Sequence, residues 1–351
     1  MSGFSRTLVF AVALAAAGAC RQPGPTPAAS VGAAQLVERA GLTMGSTLRL
    51  SAWTTDPAAA QSAFEAVFRE FDRLDALMSV WKADSDVIRV NAAAGEHAVA
   101  VAPDVREILR VAQQVGDWTG GRFDVTFGPL ADLWKFDQDQ DNSIPSAAAI
   151  RERLPLIDYR QIQIDEDSGT VFLRKKGMRI HLGGIGKGYA VDRAVKILRD
   201  RGMRDFMIQA GGDMYVGGRR GDRPWKLGIA DPRGDHAPFA TVELGDATFS
   251  TSGDYERFFV KDGVRYHHIL DLSAGQPARL SRSVTLVTDR AVIADALAKG
   301  VFILGPEAGM ALIERVPGVA GVIVGADNRV LVSAALKDRF ILQAPPTDSR
   351  P

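Results

Sequence analysis

The order in which short apolar stretches occur along this chain limits its fold more than any other feature. Apolar runs at 170–174, 206–210, 214–217, 225–230, 240–244, 256–260 and 283–288 are bounded by clusters of glycine, aspartate and proline, the pattern of strands separated by turns. Residues 44–53 are strand-like as well. Phe64, Val67, Phe68, Phe71, Leu74 and Leu77 recur at three- and four-residue steps, which predicts an amphipathic helix packed on a sheet. Pro103 and Asp104 open a second helix with Val105, Ile108, Leu109 and Ala112 on one face. Tyr189 to Arg201 makes a third, stopped by Gly202. Helices over 289–304 and 306–315 follow, and Val319–Gly325 with Arg329–Ser333, joined through Asp327-Asn328, reads as a hairpin. Helices and strands come in mixed order without a βαβ repeat, so the class is α+β rather than a doubly wound sheet.

The first nineteen residues carry one charge, Arg6, and an apolar run from Leu8 to Ala17 that is too short to cross a bilayer, the pattern of a signal peptide over 1–19. The single cysteine, Cys20, follows Ala17-Gly18-Ala19 and resembles the lipobox cysteine of bacterial lipoproteins, although Ala17 stands where leucine is usual. Two readings follow: a periplasmic protein lipid-anchored to a bacterial membrane through Cys20, or a soluble periplasmic protein cut after Ala19. With one cysteine no disulfide forms within the chain, so stability rests on packing. The run RQPGPTPAAS reads as a proline-rich tether, giving a lipidated cysteine and tether over 20–35, one large domain over 36–343 and a frayed, disordered tail over 344–351. Lys and Arg number 42, as do Asp and Glu, a formal charge of 42 − 42 = 0, which argues against a nucleic-acid partner bound through counterion release.

Gly183-Gly184-Ile185-Gly186-Lys187-Gly188 precedes the third helix. It is either a tight turn or a site where first-turn amides, the helix dipole and the Lys187 ammonium converge on a phosphate. Its spacing is neither that of a dinucleotide fingerprint nor of a Walker loop, since no Ser or Thr follows the lysine.

The order of several such segments is more specific than any one. Met44-Gly45-Ser46-Thr47, Met78-Ser79 with Trp81 and Asn91, Gly121-Arg122-Phe123-Asp124-Val125-Thr126 with Leu133-Trp134, LGGIGKGYAVDR at 182–193, Gly211-Gly212-Asp213, the 250–255 segment STSGDY, His268-Ile269-Leu270-Asp271 with Gly275, and Ala294-Asp295-Ala296-Leu297 with Gly305 occur in that sequence. Together they resemble the motifs of the ApbE family of FAD:protein FMN transferases, from about residue 44 to 305. The resemblance implies one large catalytic domain of mixed, mainly antiparallel sheet with packed helices. It also implies FAD as substrate, Mg²⁺ as metal, and an acceptor flavoprotein, membrane-bound or periplasmic, whose threonine hydroxyl takes FMN as AMP leaves.

Under that resemblance Met44 and Trp81 sandwich the flat isoalloxazine ring, and Arg122, Phe123, Asp124, His181, Lys187 and Ile269 complete the FAD contacts. A pyrophosphate under attack gathers negative charge and calls for Lys187 and fixed donors, while His268 or Asp271 serves as base for the hydroxyl. Core packing for Trp81 and Phe123, and an ordinary hydrogen-bonded histidine at 268, are the plainer alternatives. The expected metal contacts are the Gly184 carbonyl, Asp295 and position 299, where the family pattern has threonine and this chain has Lys299. An ammonium cannot ligate Mg²⁺, so Lys299 either replaces part of the metal's charge or blocks it. His181, Leu272 and Ala274 also depart from the family pattern, which has aspartate, proline and threonine there. Two other functions stay open at this point: an FAD pyrophosphatase releasing FMN and AMP, and a non-catalytic FAD-binding lipoprotein.

Overall fold

The chain lays down its main sheet strand by strand. In the computed structural model, which describes residues 33–136, 139–234 and 237–348, eight strands lie side by side in chain order. They are β1 (Gln35–Thr43), β2 (Ser46–Thr54), β3 (Asp205–Ala210), β4 (Asp213–Gly217), β5 (Ala247–Gly253), β6 (Ser281–Thr288), β7 (Ala320–Gly325) and β8 (Val330–Val332). Every neighbouring pair is antiparallel. Residues from Ala34 onward form one compact unit. The signal peptide and Cys20 with most of the tether lie outside the described residues, and β1 begins where the tether was expected to end.

Helices cover one face. α1 (Pro57–Met78) lies against β1 and β2, and Asp56 caps it by accepting from the Ala59 N–H at 2.9 Å. Its residues Phe64, Phe71 and Leu74 are sealed from solvent, each contributing about 1.5–3 kcal/mol by burial. α2 (Pro103–Thr119) ends at Gly120 in the left-handed region, and α3 (Gly186–Asp200) packs on β3 and β4. α4 (Ala291–Leu304) is buried almost all round because it runs between the sheet and its neighbours α2, α3 and α5 (Pro306–Arg315). On the opposite face a three-stranded sheet of Trp225–Ala230, Pro238–Leu244 and Phe340–Leu342 packs Trp225, Leu227 and Val242 on Val216, Phe249 and Val322 of the main sheet.

Three expectations need correction. Met44 and Gly45 are the turn between β1 and β2, not the start of a strand. α3 begins at Gly186, so Lys187 and Gly188 are helical. β5, ATFSTSG, lies outside the apolar stretches read as strands, and it is a central strand because β4 and β6 satisfy its backbone on both sides. Residues 344–348 are docked rather than frayed: Thr347 N–H donates to Asp231 at 2.8 Å, Asn328 Nδ2 to the Pro346 carbonyl at 2.6 Å, and Arg282 to Asp348 at 3.0 Å. Residues 349–351 lie outside the described residues.

Candidate active site

Turns and strand ends meet at one end of the main sheet. The Met44-Gly45 turn, the Gly211-Gly212 turn between β3 and β4, and the end of β5 are drawn together by backbone bonds, Gly211 N–H to Thr47 O at 3.2 Å and Thr251 N–H to Gly212 O at 2.9 Å. A Cβ on Gly212 would stand 2.6 Å from the Thr251 carbonyl oxygen, so this approach needs glycine. Met44 and Gly45 take positive φ, 48° and 69°, the tight hairpin geometry. The Met44 methyl thereby reaches α3, 3.7 Å from where a Cβ on Gly186 would be.

The segment leading into α3 is clamped by Asn91, which donates to the Ile180 carbonyl at 2.9 Å and accepts from the Ile180 N–H at 2.7 Å. His181 Nδ1 then accepts from the Gly183 N–H at 3.1 Å and caps the short turn Leu182–Gly184. Lys187 follows on the first turn of α3, its Nζ 2.7 Å from Asp213 Oδ2, while the other Asp213 oxygen accepts from Ser250. Burial works against that ammonium, but Asp213 and Asp295 outweigh it and raise its pKa, so Lys187 stays charged.

α4 supplies the facing wall. Asp192 of α3 caps it, accepting from the N–H groups of Ala291 at 2.7 Å and Val292 at 3.1 Å. One turn on, Asp295 Oδ2 accepts from the Gly188 N–H at 2.9 Å and Oδ1 from the Lys299 ammonium. Burial disfavours the Asp295 charge, yet Lys187 and Lys299 together hold its carboxyl below the usual range.

Two adjoining clefts open over these groups. The first, about 270 Å³, is bordered by Arg122, Phe123, Asp124, His181, Gly184, Lys187, His268, Ile269 and Lys299. The second, about 500 Å³, is bordered by Met44 and Trp81, and both include His181, Lys187 and Arg257. Asp271 and Asp295 border neither. Asp271 reaches the rim only through Arg122, whose Nη1 is 3.1 Å from its carboxylate, and also accepts from Ser273. Asp124 ties its own loop to the turn at Tyr159, accepting from Thr126 N–H and Oγ1 at 2.7 Å and from Tyr159 N–H at 2.8 Å; burial pushes its carboxyl up. Trp81 stands 55% exposed at the lip of the second cleft.

His268 differs from these. Its Nδ1 is buried without a hydrogen-bond partner. Burial first, then Arg257, His267 and Lys299, hold its pKa far below that of a free imidazole, so the ring is neutral. Asp213, Asp192 and Arg257 were not picked out from sequence as site residues: the first two sit inside motifs where glycines draw attention, and Arg257 falls in none.

The donor set does not fit Mg²⁺. Both Asp295 oxygens are taken, one by a backbone N–H and one by an ammonium, and Lys299 rather than Asp295 faces the cleft. No cluster of three or more His, Cys, Asp or Glu suited to an ion occurs among the described residues. The expected ligation through Gly184, Asp295 and position 299 is therefore replaced by an ion pair.

The ApbE family model matches residues 44–323. The chain is 34% identical over 318 residues to the FAD:protein FMN transferase of Treponema pallidum (strain Nichols), covering 86% of this chain and 88% of that protein. It is 32% identical over 299 residues to an FAD:protein FMN transferase of Klebsiella pneumoniae (strain 342), covering 85% and 92%. Among solved structures, the ApbE protein from Thermotoga maritima superposes with a TM-score of 0.80 at 32% identity, covering 87% of this chain and 99% of that one. The flavin transferase ApbE from Vibrio cholerae gives 0.78 at 28% identity, with the same coverage. These matches establish that the chain belongs to the ApbE family.

Proposed function

We propose that this chain transfers FMN from FAD to a threonine hydroxyl of an exported acceptor protein, forming a phosphoester and releasing AMP. The observation that carries the reading is geometric: the His268 imidazole borders the same cleft as the Lys187 and Lys299 ammonium groups. A hydroxyl nucleophile needs a base and a pyrophosphate leaving group needs fixed positive charge; this cleft offers both. His268 takes the threonine proton, a role for which Asp271 is poorly suited because Arg122 and Ser273 already engage its carboxylate. The second cleft, with the Met44 thioether and the Trp81 ring at its border, suits the flat isoalloxazine body.

Export and a lipid anchor on Cys20 belong to the proposal, supported by Arg6, the apolar run Leu8–Ala17 and the small residues before the cysteine. The acceptor is then a membrane-bound or periplasmic redox protein. The test is intact mass of a threonine-bearing acceptor after incubation with FAD. Its mass should rise by one FMN as AMP appears, and His268→Ala should slow transfer about 10²–10⁴-fold while FAD still binds. AMP appearing with an unmodified acceptor would favour the pyrophosphatase reading instead.

A further inference from the structure

Position 299 is where the resemblance calls for a neutral oxygen ligand to a cation, and the structure puts a cation there. The Lys299 ammonium donates to the Asp295 carboxylate and, at 2.9 Å, to the Asp295 backbone carbonyl. Its stem runs past Gly184, where a Cβ would meet Lys299 Cε at 3.8 Å. The stem therefore packs beside Gly184 while the ammonium pairs with Asp295, next to both residues expected to hold an ion. Its side chain keeps 17% exposure and borders the first cleft, whereas Asp295 is wholly buried behind it. Gly188 N–H holds Oδ2 and the Lys299 ammonium covers Oδ1, so the carboxylate meets the cleft only across an ammonium.

The geometry points to a built-in cation: resting on the transferase reading above, the Lys299 ammonium takes the place of a divalent ion at the FAD pyrophosphate, and this chain binds and turns over FAD without Mg²⁺. An ammonium carries three donors and a full positive charge, and the i, i+4 pairing with Asp295 on one helix keeps it in place. In the step it serves, the threonine oxygen bonds to the FMN phosphorus and its proton passes to His268. The bond from that phosphorus to the bridging oxygen breaks, and the electron pair leaves on the AMP phosphate. Lys187 and Lys299, approaching from α3 and α4, offset the charge on the phosphate oxygens.

The test measures FAD affinity by flavin fluorescence quenching, in excess EDTA and in excess MgCl₂, for the wild type and Lys299→Thr. Wild-type affinity should change by less than about twofold between the two conditions. Lys299→Thr should lose about ten- to hundredfold in EDTA, the worth of a charge-assisted contact, and regain it with Mg²⁺. AMP release in the presence of acceptor should follow the same pattern. Wild-type binding that collapses in EDTA and returns with Mg²⁺ overturns the inference, as does a folded Lys299→Thr that binds FAD normally in EDTA. If Lys299→Thr does not fold, the wild-type comparison decides alone. Wild type that binds no FAD in either condition overturns the transferase reading, and this inference with it.

Discussion

At Gly188 α3 packs directly on the backbone of α4, and adding one methyl group there tests the site's construction. A Cβ at 188 would lie 2.3 Å from the Ala291 carbonyl oxygen and 2.7 Å from Asp295 Cβ, against 3.4 Å for ordinary contact. The nearest atom is backbone, so Gly188→Ala must part α3 from α4 by about 1 Å. That displacement stretches the 2.9 Å bond from Gly188 N–H to Asp295 beyond hydrogen-bonding range. Overpacking costs about 1–3 kcal/mol and the lost bond to a buried carboxylate about 1.5–3 kcal/mol. Alanine's better helix propensity returns about 0.5–1 kcal/mol, leaving a net loss of about 2–5 kcal/mol. Urea unfolding at neutral pH measures it, and FAD titration should weaken as well, because Lys187 and Lys299 ride on the separated helices. A variant within about 0.5 kcal/mol of wild type with unchanged FAD affinity would refute the close packing of these helices as the element that sets the site.

Trp81→Ala should leave stability within about 0.5 kcal/mol, since the ring is 55% exposed, while FAD affinity falls about three- to tenfold through loss of stacking. Unchanged affinity in a fluorescence titration would detach the second cleft from the flavin. His267 is sealed, its Nε2 2.8 Å from the Ala278 carbonyl, and burial lowers its pKa from 6.5 to about 4. A lowered imidazole pKa means that the unfolded chain binds the proton first. Its contribution is thus intact above pH 6.5 and is lost as pH falls through about 4, up to about 3 kcal/mol in all. Urea midpoints between pH 7 and 5 should fall accordingly, and a ring titrating near 6.5 by NMR would contradict the sealed environment.

Patterns that repeat were legible in the sequence. The three- and four-residue spacing of Phe64, Val67, Phe71 and Leu74 marked α1, and the apolar density around Asp295 marked α4, because burial demands those patterns whatever the partner. β5 was not legible. Its Ser250, Thr251 and Ser252 are polar and sit at a central position of the sheet, where ladder hydrogen bonds to β4 and β6 hold that stretch. In the site, glycines and Lys187 announced themselves by spacing, but the carboxylates that hold Lys187 and the start of α4 did not. Asp213 and Asp192 act across 26 and 99 residues of chain, a separation that no local pattern encodes. Lys299 was legible as a departure, and only the structure says where its ammonium goes.

The docked segment 340–348 has a consequence for how the chain reaches this state. Phe340–Leu342 completes the smaller sheet by pairing with residues 240–242, and Thr347 closes on Asp231, 116 residues earlier. Contacts of such separation form late, because closing the loop costs entropy before any of them repays it. Until they form, the strand Pro238–Leu244 keeps an open edge, able to pair with the same strand of another molecule. A chain released short of residue 340 would carry that edge permanently and should collect in insoluble material rather than as a weakened enzyme.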